Sequence, residues 1–230
     1  MKQYALSYLA RTTSTELVPW SLDVKAPTGL KRDGTRRFYQ SHPQEYADAT
    51  LVRALAEVLR DFCRRLPSDG RVLDLGCGAG HDLSSITKTG RGAVGLDYAE
   101  PIARIARSIS TCPVVVSDMR SIPFRDLAFD GVWASASLLH LPRRDLPTAL
   151  SEIRRILRPE GRFFASVKAG SGEMRDKEGR FFALYNQDGW RRSLQEAGFA
   201  ILSLESNEST LPNPVGARPE RWLNSLATIA

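Results

Sequence analysis

Apolar positions between Pro43 and Leu66 fall at helical spacing: Ala47, Leu51, Ala54, Leu55, Val58, Leu59 and Phe62 recur every three or four residues. The pattern predicts a helix over 43–66, which Pro67-Ser68-Asp69-Gly70 stops. Short apolar runs then alternate with helical stretches. Val72-Leu73-Asp74-Leu75 reads as a strand and 82–88 as a helix; Ala93-Val94-Gly95-Leu96-Asp97 is a strand, and Ile102, Ile105, Ala106 and Ile109 mark the next helix. Strands follow at Val114-Val115-Val116 and over 129–134. Leu146, Ala149, Leu150, Ile153, Ile156 and Leu157 form an amphipathic helix, broken by Arg158-Pro159-Glu160-Gly161 before a fifth strand over 163–168. Alternation of this kind requires crossover connections, and so a parallel sheet with both faces covered. The end differs: after a helix over 188–197, the runs 200–205 and 221–227 read as two strands with no helix between them. The predicted fold is α/β, a mostly parallel seven-stranded sheet with an antiparallel C-terminal edge and helices on both faces.

The first 37 residues lack this periodicity. They carry Thr12-Thr13-Ser14-Thr15 and scattered prolines, and are read as a poorly ordered extension ahead of a single domain over 38–230. They also hold seven basic and three acidic residues, so +4 of the chain's net +6 sits there and the body is nearly neutral. A phosphate-binding face needs a concentrated basic stripe, and no nucleic-acid partner is expected. No apolar stretch is long enough to span a membrane, and no apolar core follows a basic start as in a secretory signal. Cys63, Cys77 and Cys112 are far apart, and His42, His81 and His140 are isolated from one another, so neither a disulfide framework nor a metal site is expected. Reduced thiols point to the cytoplasm.

The chemistry concentrates at Val72-Leu73-Asp74-Leu75-Gly76-Cys77-Gly78-Ala79-Gly80. A buried strand runs into three alternate glycines and then a helix. Glycine tolerates positive φ and lets a ligand approach the backbone, and the helix start beyond offers unpaired N–H groups. Asp97 ends the second strand, where a carboxylate can accept both hydroxyls of a ribose. Asp118-Met119 follow the third strand, where an acid can accept an adenine amino group and Met119 can pack on the ring. A nucleoside site at the carboxyl ends of three strands follows. A dinucleotide is disfavoured, because the third glycine of G-x-G-x-x-G would fall at His81, and no triphosphate loop occurs.

These residues resemble the class I S-adenosylmethionine-dependent methyltransferases, whose most specific signature is the D-L-G-C-G-x-G stretch. The resemblance runs from about Phe38 to the end and implies a Rossmann-like class I methyltransferase fold with S-adenosyl-L-methionine as cofactor. It implies that Gly76, Gly78 and Gly80 cradle the methionine and ribose part, with Asp97 on the ribose and Asp118 and Met119 on the adenine. Asp74 would order the loop and reach the cofactor amino group; Cys77, Ala79, Tyr98 and Ser135 complete the implied cofactor set. Phe38-Tyr39, Glu45-Tyr46, the run Phe129-Asp130-Gly131-Val132-Trp133-Ala134-Ser135-Ala136-Ser137-Leu138-Leu139-His140 and Arg218-Pro219-Glu220-Arg221-Trp222-Leu223-Asn224 resemble a subgroup of small bacterial enzymes likened to tellurite-resistance methyltransferases. His81 stands where that subgroup commonly has Arg.

Ser135, Ser137 and His140 follow the fourth strand, where the methyl group would point, and His140 is the candidate to move a proton or orient the acceptor. The segment 168–182, rich in glycine and charge, leaves the fifth strand over the site and is expected to act as a lid, with Lys168, Arg175 and Arg180 available to an anionic group. Tyr46 is a further candidate for substrate contact. The expected reaction is metal-independent in-line methyl transfer to a small molecule. The alternatives are an RNA or protein methyltransferase, or a non-catalytic S-adenosylmethionine-binding protein. An amino-methylating nucleic-acid enzyme would carry Asn/Asp-Pro-Pro-aromatic after the fourth strand; here the sequence is Ala134-Ser135-Ala136-Ser137.

Overall fold

The computed structural model describes residues 34–50, 55–208 and 220–230. Three short helices lead in: α1 (Gly34–Ser41), α2 (Pro43–Ala49) and α3 (Ala56–Arg64). The single helix expected over 43–66 is therefore two. Pro43 opens α2, where a missing N–H is harmless, and Thr50 closes it by donating its hydroxyl to the carbonyls of Tyr46 and Ala47 at 2.9 and 3.2 Å. Leu51 and Ala54 lie outside the described residues. The head also ends earlier than its composition suggested. Gly34 to Arg37 belong to α1, and Thr35 is buried, its Oγ1 accepting the Phe181 N–H at 2.8 Å. The expected poor order of the head otherwise concerns residues 1–33, which are outside the described residues.

The body alternates as the pattern predicts: β1 (Arg71–Leu75), α4 (His81–Thr87), β2 (Gly92–Asp97), α5 (Glu100–Ser110), β3 (Val114–Val116), β4 (Phe129–Ser135), α6 (Leu146–Ile156) and β5 (Leu157–Lys168). A hairpin of β6 (Glu173–Arg175) and β7 (Phe181–Ala183) follows, then α7 (Gln187–Glu196), β8 (Phe199–Glu208) and β9 (Arg221–Ile229). The main sheet has seven strands in the order β3-β2-β1-β4-β5-β9-β8. Its first five strands are parallel, and β9 lies antiparallel between β5 and β8. The breaker at 158–161 survives as a bulge inside β5: Leu157 pairs with Phe129 and Arg162 with Gly131. Among the described residues, no helix is long and apolar enough to cross a membrane.

Strand alternation divides the core. Leu73 and Leu75 face one apolar layer with Leu150, Ile153, Trp190 and Leu194 of α6 and α7. Val72 faces the other, with Leu59 and Phe62 of α3, Leu83 and Ile86 of α4, and Trp133. Trp133 and Trp190 are fully buried. The Trp133 ring stacks on Phe164 at 4.0 Å between centroids, and its Nε1–H donates to Asp82 Oδ2 at 2.9 Å. Truncating it would cost about 3–5 kcal/mol.

From β1 the chain crosses to β2 on one side and, later, to β4 on the other. The crossovers from β1 and β4 therefore run to opposite sides of the sheet, the place where open α/β sheets bind ligands. The glycine loop and the Ser135–His140 region flank that place.

Candidate active site

Two close approaches fix the glycine loop. Gly76 has φ +77°, and a Cβ there would lie 2.3 Å from Ser137 Cβ, so only glycine lets the loops after β1 and β4 meet. At Gly80, φ is +82° and an added Cβ would lie 2.9 Å from the Ala106 backbone, which sets how tightly α4 packs on α5. The amides of Gly76 and Cys77 both donate to Leu96 O, at 2.7 and 3.0 Å, tying the loop to the end of β2. His81 opens α4 and bonds to the Ala47 carbonyl through Nε2 at 3.2 Å, so it joins the loop to α2.

Asp97 stands beside this loop. Its Oδ2 accepts the Gly78 N–H at 2.9 Å and its Oδ1 the Ala99 N–H at 2.9 Å. Burial pushes its pKa up to about 6 despite those amides. Asp74 is buried at the end of β1. Burial, then the nearby carboxylates of Asp82 and Asp97, raises its pKa well above the ordinary value. Its Oδ2 and the Ser137 Oγ are buried with no hydrogen-bond partner among the described residues.

Clustered carboxylates at Asp74, Asp82 and Asp97, with the unpartnered Asp74 Oδ2 and Ser137 Oγ beside them, fit a positively charged ligand with N–H and O–H donors. S-adenosylmethionine carries a sulfonium, an ammonium and two ribose hydroxyls, so these residues fit it. Asp82 was not singled out from sequence. An acid in the first turn of a helix has an ordinary reason to be there, and only the fold brings it to Asp74.

Asp118 is engaged locally. Arg120 forks onto it, with Nε to Oδ1 at 3.0 Å and Nη2 to Oδ2 at 2.6 Å, and reaches Asp145 with Nη1 at 2.7 Å. Met119 is half-buried against the core, and Tyr98 lies under the Arg36 guanidinium at 4.7 Å. Cys77 and Ala79 are buried, and burial raises the Cys77 thiol pKa. Ser135 ends β4 in register with Ser166 of β5.

The segment expected to form a lid loop differs most from expectation: it is the β6–β7 hairpin, held down at Phe181. His140 Nδ1 bonds to the Phe181 carbonyl at 2.7 Å, and the Tyr39 hydroxyl meets His140 Nε2 at 3.0 Å. Burial raises the Tyr39 phenol pKa to about 12 against the pull of Arg180, and burial also raises Tyr46. The Tyr46 ring lies against Gly78, and so packs on the glycine loop.

The expected anion-binding cations are already partnered. Arg180 lies over Phe38 at 4.4 Å with Asp176 at 2.7 Å, and Lys168 lies over Phe182 at 4.7 Å with Glu220 at 2.6 Å. Arg175 lies over Phe181 and donates to Gly179 O at 2.9 Å. Arg218 is outside the described residues.

Residues 73–165 match the family model described as a methyltransferase domain. A relative in Methanocaldococcus jannaschii is 30% identical over 135 residues, covering 58% of this chain and 51% of that protein, so the chain spans about half of its length. A relative in Mus musculus named for tRNA methylation is 31% identical over 137 residues, covering 59% of this chain and 29% of its own length. Among solved structures, Burkholderia thailandensis 1,6-didemethyltoxoflavin-N1-methyltransferase superposes with a TM-score of 0.67 at 22% identity, covering 84% of each chain. Sheet order and glycine loop agree with the domain match: the fold is that of the Rossmann-like methyltransferases, and residues 73–165 match a methyltransferase domain. The domain match supports a methyltransferase enzyme that uses S-adenosylmethionine.

Proposed function

We propose that this enzyme methylates a small molecule held between the glycine loop and the β6–β7 hairpin. The observation that carries this reading is the character of the acceptor side. Phe38, Tyr39, His140 and Phe182 make an aromatic wall, and Arg180 and Lys168 are each paired with a carboxylate. A neutral or weakly acidic planar acceptor suits such a wall; a polyphosphate backbone needs cations at its disposal. The likeness to 1,6-didemethyltoxoflavin-N1-methyltransferase, whose named acceptor is a small molecule, supports the same class. The tRNA-named relative favours the rival acceptor and sets the control.

The cofactor assignment follows the site. Gly76, Gly78 and Gly80, with Cys77 and Ala79, cradle the methionine and ribose. Asp97 accepts the ribose hydroxyls, and Asp74 and the Ser137 hydroxyl take the ammonium. Asp118, oriented by Arg120, and Met119 hold the adenine, with Tyr98 and Ser135 at the rim. The bound cofactor supplies an electrophilic methyl on a sulfonium. The chain aligns the acceptor with it and excludes water.

The test uses methyl-labelled cofactor with small aromatic hydroxyl and ring N–H compounds, and with total tRNA. Label in a small acceptor, dependent on His140, is the expected result. Label in RNA alone would overturn the small-molecule reading.

A further inference from the structure

We propose that Tyr39 is a proton-relay residue, whose hydroxyl takes the acceptor's proton while passing its own to His140 Nε2. The inference rests on the small-molecule reading above and concerns how that acceptor is activated.

The hydrogen-bond pattern fixes the direction. A carbonyl oxygen only accepts, so the 2.7 Å contact with Phe181 O places a proton on His140 Nδ1. In the neutral ring Nε2 then has the lone pair, and the Tyr39 hydroxyl at 3.0 Å is the donor. The pair is clamped from both sides by α1. Thr35 and Tyr39 are four residues apart on one helix face. Thr35 Oγ1 accepts the N–H of Phe181 at 2.8 Å, and Tyr39 bonds the histidine that donates to the carbonyl of the same Phe181. Helix, hairpin backbone, imidazole and phenol thus close a ring of contacts, a costly arrangement for one incidental hydrogen bond.

Its position suits the reaction. The Tyr39 and Tyr46 rings meet edge to face at 4.9 Å, and Tyr46 lies against Gly78, whose N–H bonds Asp97. The phenol therefore stands one ring away from the cofactor loop, with Arg180 near enough to favour its ionised form.

The step balances. The acceptor X–H gives its proton to Tyr39 Oη as the tyrosine proton moves to His140 Nε2, leaving an imidazolium whose two N–H groups face Tyr39 and Phe181. The freed pair on X forms the bond to the methyl carbon, and the carbon–sulfur pair returns to sulfur. Such a device serves a hydroxyl or N–H acceptor that stays protonated at neutral pH. A thiolate or other preformed anion would not need it.

The experiment uses the full chain labelled with 15N-histidine and bound to S-adenosylhomocysteine. Long-range proton–nitrogen spectra should show His140 protonated at Nδ1 and accepting at Nε2. Tyr39→Phe should keep that tautomer, keep cofactor affinity within about twofold, and shift the Nε2 signal away from its value in the parent. With an acceptor in hand, Tyr39→Phe should lower turnover on the order of 10²-fold, less as the acceptor's X–H becomes more acidic. His140→Asn should lower it similarly, and the double variant no further, as expected of residues acting as one unit. A proton on Nε2, an Nε2 signal indifferent to Tyr39→Phe, or additive losses would overturn the relay. Failure of the unmodified protein to bind S-adenosylhomocysteine would instead overturn the reading on which the relay rests.

Discussion

The Tyr46 ring rests on Gly78: a Cβ added to this glycine would lie 3.2 Å from Tyr46 Cε1, and its φ of +51° is one that L side chains rarely adopt. An aromatic ring on α2 and the middle glycine of the glycine loop thus pack together, as one wall of the proposed site. Gly78→Ala should destabilise the fold by about 1–2 kcal/mol through left-handed strain alone, read as a fall in melting temperature of several degrees. Tyr46→Phe should leave S-adenosylhomocysteine affinity within about threefold. Tyr46→Ala should weaken it roughly tenfold, the scale of one lost aromatic contact. Equal affinities for all three proteins by isothermal titration would remove Tyr46 from the cofactor wall.

Asp97→Ala removes the carboxylate proposed to accept two ribose hydroxyls. Hydrogen bonds to a charged group contribute about 1.5–3 kcal/mol, so affinity should fall at least about tenfold while the chain still unfolds cooperatively. A folded Asp97→Ala protein that binds as tightly as the parent would contradict the ribose assignment.

The same residue sets a pH dependence. Its folded-state pKa of about 6 exceeds the ordinary 3.8, so burial of the carboxylate works against folding. The stability gained from the protonated group is full below about pH 3.8 and is lost as pH rises through 6. Binding runs the other way, because ribose hydroxyls bond the ionised form. S-adenosylhomocysteine affinity should be full above pH 7 and drop about tenfold by pH 5. Titrations at pH 6 in buffers of different ionisation enthalpy should register proton release that disappears at pH 8. Proton uptake at pH 6 would show that Asp97 binds protonated.

The hairpin is tied to α1 through Thr35, so loosening that tie should expose it. Lys177 sits exposed near its tip. Thr35→Val strands the Phe181 N–H and should raise the rate of tryptic cleavage at Lys177 several-fold, with little change in global unfolding. Unchanged cleavage would mean that the hairpin is held by its other contacts.

Truncations discriminate the head from the domain. A chain beginning at Gly34 should melt like the full chain, whereas one beginning at Phe38 loses Thr35 and should melt lower. The reverse order would place structural weight in residues 1–33.

Much of this architecture is written locally. In Val72-Leu73-Asp74-Leu75 the alternation that sends leucines to one face and Val72 and Asp74 to the other is a property of any strand. The three alternate glycines announce a turn of positive φ, and Asp97 and Asp118 fall at strand ends because strand length is visible in the apolar runs. From these the α/β class and the antiparallel edge were legible. The hairpin was not: Glu173, Met174 and Arg175 are all exposed, so no alternation marks β6. The boundary of the head was misjudged because Thr35 is buried by a partner 146 residues away.

The tertiary structure alone decided which groups meet. Lys168 and Arg180 read as available cations until Glu220 and Asp176 were placed beside them. Asp82 stands in the first turn of α4, and only the crossover from β1 sets it against Asp74. Tyr39 and His140, 101 residues apart, belong to different periodic patterns, and neither pattern refers to the other. Periodicity encodes which face of an element is buried. It does not encode which side chains from distant elements share that space, because that depends on the order in which the strands assemble.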